Sequence, residues 1–386
     1  MPADLPSHHR SDGVNSWFEN PWPPARSLFQ LFIKLVSLPA VVIRAQPLDG
    51  VELIQPVTTV KPDFSVLETK TSNEYCLHAT WLGHAGYLVQ SPTIRGTPGA
   101  RIAFDPMFSE CAYKSSLFNG LRRRLPPPCK IEALPDIDFV AISHNHYDHC
   151  DIDTLVQICE MSNSKSDRTS PLRFLVPLGV KKTLVSGGIP ECQVIEMDWW
   201  ESIAYRLPSA PDTRIVIACT PCQHNSGGLL DYNKSLWSSW VVQIRTVEDE
   251  TISSVYFAGD TGYRTGMGPC PIFREIGQKY GPFDVAMIPI WRGASLSFLG
   301  QLGYQLADDT HLAVTHASPE DAVQLARDLR ARHSLAMHFA TWAGSDHEAN
   351  EPLLRLARAR SGDWWEEGGF GALNVGQTAT IPIERT

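Results

Sequence analysis

Residues 144–149 read His-Asn-His-Tyr-Asp-His and directly follow an apolar run at 139–142. This pattern is typical of a buried strand that ends in a loop of polar side chains. Imidazole nitrogens and carboxylate oxygens are zinc ligands, and a catalytic zinc site keeps one position open for water. Alternate residues of an extended segment point the same way, so His144 and His146 can face one ion. Asp148 and His149, beyond the turn, can then reach a second ion.

Three more ligand-type residues accompany short apolar segments elsewhere in the chain. They are His224 after 214–219, Asp260 after 253–257 and His338 at the end of 335–338. Their recurrence at strand ends predicts that they share one sheet edge with the hexapeptide. A two-metal site needs a carboxylate that contacts both ions, and Asp260 is the natural candidate.

Composition and charge restrict the class of protein. The 386 residues carry a formal net charge of −9, which argues against a nucleic-acid binder because such a protein needs a basic face. Nine cysteines and a polar start without an apolar leader core indicate reduced intracellular thiols. We therefore expect a cytoplasmic protein, or one peripheral on a membrane, that is not secreted. The Cys219-Thr-Pro-Cys222 segment has redox-motif spacing, but it stands alone, so a structural role is the preferred interpretation.

Prolines are frequent in residues 1–74, which predicts an N-terminal extension before a catalytic domain at 75–386. The apolar run at 28–43 is interrupted by Lys34 and Pro39 and is shorter than the ~20 residues that a membrane-spanning helix needs. Two interpretations stay open. The run forms either a helix on a membrane surface, or a helix packed on the enzyme body or in a homodimer contact.

The catalytic region alternates strand and helix patterns. Strands are predicted at 76–81, 86–89, 101–104, 139–142, 173–176, 214–219, 236–246, 253–257, 285–288 and 335–338. Helices are predicted at 151–161, 180–186, 271–280, 319–333 and 349–357. The fourth helix has a clear start, because Ser318 can cap it and Pro319 suits its first turn. From the residues alone, the fold class is α/β with a metal site at a strand edge.

These motifs together resemble the metallo-β-lactamase superfamily, and within it the N-acyl-phosphatidylethanolamine-hydrolysing phospholipase D family. The resemblance covers residues 15–360. It is carried by Asn20-Pro-Trp-Pro, Thr80-Trp-Leu-Gly-His-Ala, Phe104-Asp-Pro-Met-Phe-Ser, the hexapeptide, Glu196-Met-Asp-Trp-Trp-Glu, Leu236-Trp-Ser-Ser-Trp, Phe257-Ala-Gly-Asp and Met337-His-Phe.

The resemblance implies an αββα sandwich, a binuclear zinc centre and attack on a phosphodiester by a metal-bridging hydroxide. It assigns His144, His146 and His224 to one zinc ion, and Asp148, His149 and His338 to the other, with Asp260 bridging. It also implies catalytic roles for Asp148, Asp105 and His316. Asp105 would orient a ligand histidine, and His316 would position substrate or donate a proton. His84 is equally compatible with a structural role.

The segment 291–306 departs from the family pattern, being longer and less charged, which puts the substrate in doubt. The expected partner is a phospholipid or another acyl-bearing small molecule, with N-acyl-phosphatidylethanolamine preferred. Hydrolysis of an ester, lactone, thioester or amide by the same centre is the alternative. A third hypothesis is a non-catalytic lipid-binding protein that holds metal. The presence of seven ligand-type residues argues against this hypothesis.

Overall fold

Two seven-stranded sheets pack face to face, with helices on their outer faces. The computed structural model describes residues 7–13, 15–22, 42–67, 75–94, 99–112, 122–166, 168, 170–206, 213–228, 230–246, 248–291, 297–306, 310–360 and 369–383. The strands are β1 (His9–Ser11), β2 (Ser16–Phe18), β3 (Val42–Arg44), β4 (Cys76–Gly83), β5 (Gly86–Gln90), β6 (Arg101–Phe104), β7 (Phe139–Ala141), β8 (Arg173–Pro177), β9 (Val194–Met197), β10 (Ser202–Tyr205), β11 (Thr213–Thr220), β12 (Ser239–Thr246), β13 (Thr251–Phe257), β14 (Arg264–Thr265), β15 (Gly268–Pro269), β16 (Phe283–Pro289), β17 (Tyr304–Leu306), β18 (Ala331–Met337), β19 (Gly369–Gly371) and β20 (Thr378–Pro382).

The α-helices are α1 (Ile152–Asn163), α2 (Lys181–Ser186), α3 (Ile272–Tyr280), α4 (Ser297–Gln301), α5 (Pro319–Asp328) and α6 (Asp346–Ala359). The first sheet has the order β20-β4-β5-β6-β7-β8-β9, and the second has the order β10-β11-β12-β13-β16-β18-β19. The αββα sandwich expected from the resemblance is confirmed.

The interior strand β7 explains the layering, because it is apolar on both faces. Phe139 and Ala141 face the second sheet and join the main core, whereas Val140 and Ile142 join a separate cluster beneath α1. A strand buried on both faces reads as a continuous apolar run. Across the interface between the sheets, Phe104 stacks on Phe257 with ring centroids 4.7 Å apart.

Two predicted boundaries are wrong. The helix predicted at 319–333 ends at Asp328, and the chain turns into β18 at Ala331. Arg330 causes the break, because its φ of 60° lies in the left-handed region, which no helix continues through. The strand predicted from 236 begins only at Ser239. Before that point, the backbone N–H groups of Leu236 and Ser238 donate to Leu178 and Ser143 of the other layer rather than to a neighbouring strand.

Ten strands were not predicted from the sequence. Six of them, β1, β2, β3, β14, β15 and β17, form two-stranded sheets, and the other four, β9, β10, β19 and β20, belong to the seven-stranded sheets. All four are at or next to sheet edges. They are short, from three to five residues, so their apolar pattern is too brief to distinguish them from loops. The remaining predicted strands, and the helices that became α1, α2, α3 and α6, are confirmed within a few residues.

The N-terminal region packs against the sandwich wherever the structure describes it. Val60 donates its backbone N–H to Val375, and strand β3 pairs antiparallel with β17. Residues 28–41 of the apolar run lie outside the described residues. In the described part of the chain, no helix combines the length and apolar character needed to cross a membrane.

Removing the cap of α5 is expected to destabilise the fold. Ser318 accepts a hydrogen bond at Oγ from the backbone N–H of Asp321, 3.2 Å away. We expect Ser318→Ala to lower the free energy of unfolding by about 0.5–2 kcal/mol, the usual cost of losing such a cap. Denaturant titration measures the change. Ser186→Ala, at an exposed helix position, is the control, and an equal loss in both variants would contradict the capping argument.

Candidate metal centre

The strand directions bring the ligand-type residues to one rim of the sandwich. In the first sheet, β4, β6 and β7 run in the same direction, and in the second sheet β11, β13 and β18 do so. Each of these strands is followed within a few residues by a polar side chain. These side chains are His84, Asp105, His144, His224, Asp260 and His338. One rim therefore receives donors from both sheets.

The first cluster contains three histidines. His144 Nε2 lies 2.7 Å from His146 Nδ1, and His224 Nε2 lies 3.3 Å from the same nitrogen. His144 and His224 are buried, and His146 is half-buried. The backbone carbonyl of Thr315 lies 2.9 Å from His224 Nδ1, so it fixes the ring with Nε2 toward the cluster. Three imidazole nitrogens at these distances form a donor set suited to one divalent transition metal.

The second cluster mixes a carboxylate with imidazoles. Asp148 Oδ2 lies 3.9 Å from His149 Nε2, 3.8 Å from His338 Nε2 and 3.1 Å from His84 Nε2. His84 is fully buried, and burial together with the charge of His338 lowers its pKa to about 3. The neutral ring can thus donate its Nε2–H to Asp148. The sequence left the role of His84 open, and the structure brings it into contact with the cluster.

Asp260 stands between the two clusters. Its Oδ2 lies 3.1 Å from His338 Nε2, 3.2 Å from His149 Nε2 and 3.7 Å from His224 Nε2. His316 Nε2 also lies 3.2 Å from this oxygen. The seven predicted metal ligands are therefore brought together, and Asp260 is the carboxylate that contacts both groups, as a bridging role requires.

Several buried polar atoms in this cluster lack hydrogen-bond partners. Nε2 of His149, Nε2 of His338 and Oδ1 of Asp260 are all buried and make no hydrogen bond of acceptable geometry. An unsatisfied buried polar atom is costly, and native structures rarely contain one without a reason. A cation between the rings and the carboxylate would satisfy these lone pairs, so the residues fit a metal site.

Asp105 lies behind the cluster and contacts His149. Its Oδ2 is 2.7 Å from His149 Nδ1 and accepts the Ser143 hydroxyl at 2.6 Å, while its Oδ1 accepts the Ser143 backbone N–H at 2.7 Å. A carboxylate bonded to the far nitrogen of a histidine fixes the tautomer that presents the other nitrogen to a metal. The contact of Asp105 with His149 has the geometry that an orienting role requires, and the role itself stays a prediction.

The electrostatics of the second cluster favour positive charge. Burial alone would raise the pKa of Asp260, but the charges of His149 and His338 outweigh it and hold that pKa well below its usual range. Burial alone would lower the pKa of His338, but the charge of Asp260 and contacts with both carboxylates raise it to about 9. The carboxylates are thus ionised, and they attract either protons on the rings or a cation.

Three residues of the rim have a left-handed backbone. The φ angles are 50° at His84, 38° at Asp105 and 58° at His338. Such angles cost residues with a Cβ atom of order 1 kcal/mol or more and concentrate at functional sites. Each of these three side chains contacts a residue of the clusters.

Proton release should make metal binding pH-dependent. With a pKa of about 9, His338 is protonated in the metal-free protein below that pH and must lose its proton to bind a metal. We expect the apparent affinity for Zn²⁺ to rise at least about tenfold per pH unit between pH 6 and 8 and to level off above pH 9. Competition with a chromophoric chelator measures it. A pH-independent affinity would show that His338 is not a ligand.

Comparison with known proteins identifies the family. A family model described as the beta-lactamase superfamily domain matches residues 100–339, which contain every residue of the two clusters except His84. The chain belongs to the metallo-β-lactamase superfamily. Together with its hydrolase relatives, this makes the chain a metal-dependent hydrolase.

Two relatives are named for the same activity. The N-acyl-phosphatidylethanolamine-hydrolyzing phospholipase D 1 of Caenorhabditis elegans is 33% identical over 88% of this chain and 85% of its own length. The mitochondrial N-acyl-phosphatidylethanolamine-hydrolyzing phospholipase D of Saccharomyces cerevisiae is 30% identical over 79% of this chain and 55% of its own length. Among solved structures, the metallo hydrolase Igni18 of Ignicoccus hospitalis has a TM-score of 0.48 at 21% identity, covering 80% of this chain and 100% of that one.

The Cys219-Thr-Pro-Cys222 segment has no exposed thiol. Both cysteines are free and buried, and burial raises the pKa of each thiol well above its ordinary value. A reactive cysteine needs a lowered pKa and solvent access. The segment therefore packs the end of β11 and leads to His224, in agreement with the structural interpretation.

Proposed function

We propose that this hydrolase is a phosphodiesterase of phospholipase D type, acting on N-acyl-phosphatidylethanolamine-like lipids with two zinc ions. The observation that carries the proposal is the 33% identity to the worm enzyme over nearly the full length of both chains. The two donor clusters that share Asp260 support it, since paired metals about 3.5–4 Å apart stabilise both the attacking and the leaving oxygen of a displacement. The products would be phosphatidic acid and an N-acylethanolamine.

The proposed ligands divide into two groups, one for each ion. His144, His146 and His224 would hold one ion, Asp148, His149 and His338 the other, with Asp260 between them. A metal pair held there would lower the pKa of water and neutralise charge on a reacting oxygen.

His316 is the more accessible imidazole next to Asp260. Its side chain is 17% exposed, whereas His338 is 2% exposed. His316 can therefore touch substrate, and we assign it to positioning the phosphodiester or giving a proton to the leaving alkoxide.

Apolar side chains on the surface suit a lipid substrate. Trp291 lies 6.1 Å from the ring of His338, and the chain later forms β17, which pairs with β3. Exposed apolar side chains lie on and next to these two strands, namely Ile43, Leu302 and Tyr304. Such a surface fits an acyl chain or a membrane interface. Alternatively, a second copy of the chain covers this surface in a homodimer. Vesicle flotation tests for lipid binding, and analytical ultracentrifugation tests for the dimer.

Product analysis in ¹⁸O-labelled water tests the reaction. Zinc-loaded protein is incubated with mixed micelles of N-acyl-phosphatidylethanolamine, and the products and their ¹⁸O content are measured by mass spectrometry. We expect equal amounts of phosphatidic acid and N-acylethanolamine, with the label in the phosphatidic acid, because water attacks phosphorus. Release of labelled fatty acid without N-acylethanolamine would replace this proposal by carboxyl-ester hydrolysis.

His316→Ala tests the assignment of that residue. We expect the bound metal to stay unchanged while turnover falls by about 10²–10⁴-fold, the usual contribution of a positioned acid or base. Elemental analysis and initial rates are measured on the same preparation. Loss of metal from the variant would instead identify His316 as a ligand.

A further inference from the structure

The N-terminal hairpin, residues 7–20, has its own cluster of ligand-type side chains, apart from the catalytic rim. His8 Nε2 lies 2.7 Å from Asp198 Oδ1, and His9 Nε2 lies 2.8 Å from Asp198 Oδ2. The three donor atoms lie within 4.8 Å of one another. Two consecutive histidines thus turn the same ring nitrogen toward one carboxylate that is about 190 residues away in the sequence.

Packing holds each of these donors in place. The ring of His8 stacks on Trp199 with centroids 4.2 Å apart, and the ring of His9 meets the edge of Phe18 at 5.0 Å. The Asp198 carboxylate is fixed by the backbone N–H of Trp199, which donates to Oδ1 at 2.7 Å. His8 is buried, and the side chains of His9 and Asp198 are about four-fifths covered. Donors fixed by their neighbours bind a metal with little further loss of side-chain freedom.

We propose that His8, His9 and Asp198 form a third metal site, which binds a divalent first-row transition metal, Zn²⁺ in the first instance. Two imidazole nitrogens and one carboxylate oxygen suit zinc, with water in the fourth position. The competing state is a metal-free clasp, in which both rings donate Nε2–H to the carboxylate. The two states differ in one measurable quantity, the number of ions per chain.

The site would fasten the hairpin to the body of the enzyme. The turn that presents Asp198 and Trp199 connects β9 of the first sheet to β10 of the second. On the second strand of the hairpin, opposite His9, Phe18 donates its backbone N–H to the carbonyl of Asn233, and two residues later Asn20 Nδ2 donates to the carbonyl of His224 at 2.8 Å. An ion at His8 and His9 therefore braces the loop that presents His224. This inference does not rest on the substrate of the enzyme.

Counting ions in matched variants tests the site. The full chain, its His8→Gln/His9→Gln double variant and the control His347→Gln are stripped with a chelator, reloaded with Zn²⁺ and desalted. His347 is a partly exposed histidine that belongs to none of the clusters. We expect the double variant to hold one ion fewer per chain than the parent, and the control to hold the parental number. Because only the difference is used, the result does not depend on how many ions the catalytic rim binds.

Hydrogen–deuterium exchange gives a second readout. Zn²⁺ should slow exchange in residues 7–20 of the parent, and it should leave that segment unchanged in the double variant. If the double variant does not fold, His9→Gln replaces it, since the ring of His9 is 21% exposed and its loss is better tolerated. Equal ion counts in parent and variant would overturn the proposal. An exchange rate in residues 7–20 of the parent that Zn²⁺ does not change would overturn it as well.

Discussion

Asp260→Asn is expected to reduce turnover by 10²–10³-fold or more while leaving the fold intact. The side chain lies 3.1–3.2 Å from Nε2 of both His149 and His338, and an amide keeps its shape but removes its negative charge. Losing one preorganised electrostatic partner of a reacting centre typically costs about 10²–10³-fold in rate. The melting temperature of the metal-free protein should change little, because the core of the sandwich is apolar.

A second buried carboxylate provides the matched control. Asp284 accepts the backbone N–H of Ser254 at 2.8 Å and pairs with Arg332, away from the rim. Asp284→Asn makes the same chemical change and should lower stability without lowering turnover per folded molecule. Activity of Asp260→Asn within tenfold of the parent would exclude a bridging role for Asp260.

Asp105→Asn is expected to weaken metal binding rather than to abolish the chemistry. The variant loses the charge-assisted contact between Asp105 Oδ2 and His149 Nδ1, so the imidazole is no longer fixed in one tautomer. Removing such a partner typically lowers metal affinity or activity by about 10–100-fold. Asparagine tolerates the left-handed backbone at this position, where φ is 38°, so the fold should persist.

Metal rescue distinguishes this variant from Asp260→Asn. Excess Zn²⁺ should restore most of the activity of Asp105→Asn, because only affinity is lost, whereas Asp260→Asn should stay inactive. Ser143→Ala removes one neutral donor to Asp105 and the contact of the same hydroxyl with His144 Nδ1. It keeps the charge-assisted His149 contact, so it should show a smaller loss of affinity. If Asp105→Asn bound metal as tightly as the parent, an orienting role for Asp105 would be excluded.

The sequence predicted the rim better than the parts that support it. The hexapeptide is local, and its chemistry is specific, so its ligand-type residues could be named before any contact was known. His84 could not be assigned, because its approach to Asp148 depends on a left-handed turn after β4. The contact of His8 and His9 with Asp198 crosses 190 residues, and no local pattern marks it.

The predicted boundaries of helices and strands are wrong where tertiary contacts override the local secondary-structure preference. Residues 319–333 have a helical pattern throughout, yet Ala331–Met337 forms a strand because it pairs in parallel with β16 on one side and β19 on the other. Strand β20 is the edge strand of the first sheet and pairs with β4, about 300 residues earlier in the chain. Local periodicity does not reveal this partner.

The rim draws donors from both sheets, so a metal held there would tie the lifetime of the protein to metal supply. Each ion held between them contributes to folding by mass action, about 2.7 kcal/mol when free metal is a hundredfold above its dissociation constant. That is a large share of the 5–15 kcal/mol that stabilises an ordinary domain. A cell short of the bound metal would therefore hold chains that open more often between the sheets, and proteases remove such chains first. Enzyme abundance would then fall together with the metal that the reaction needs.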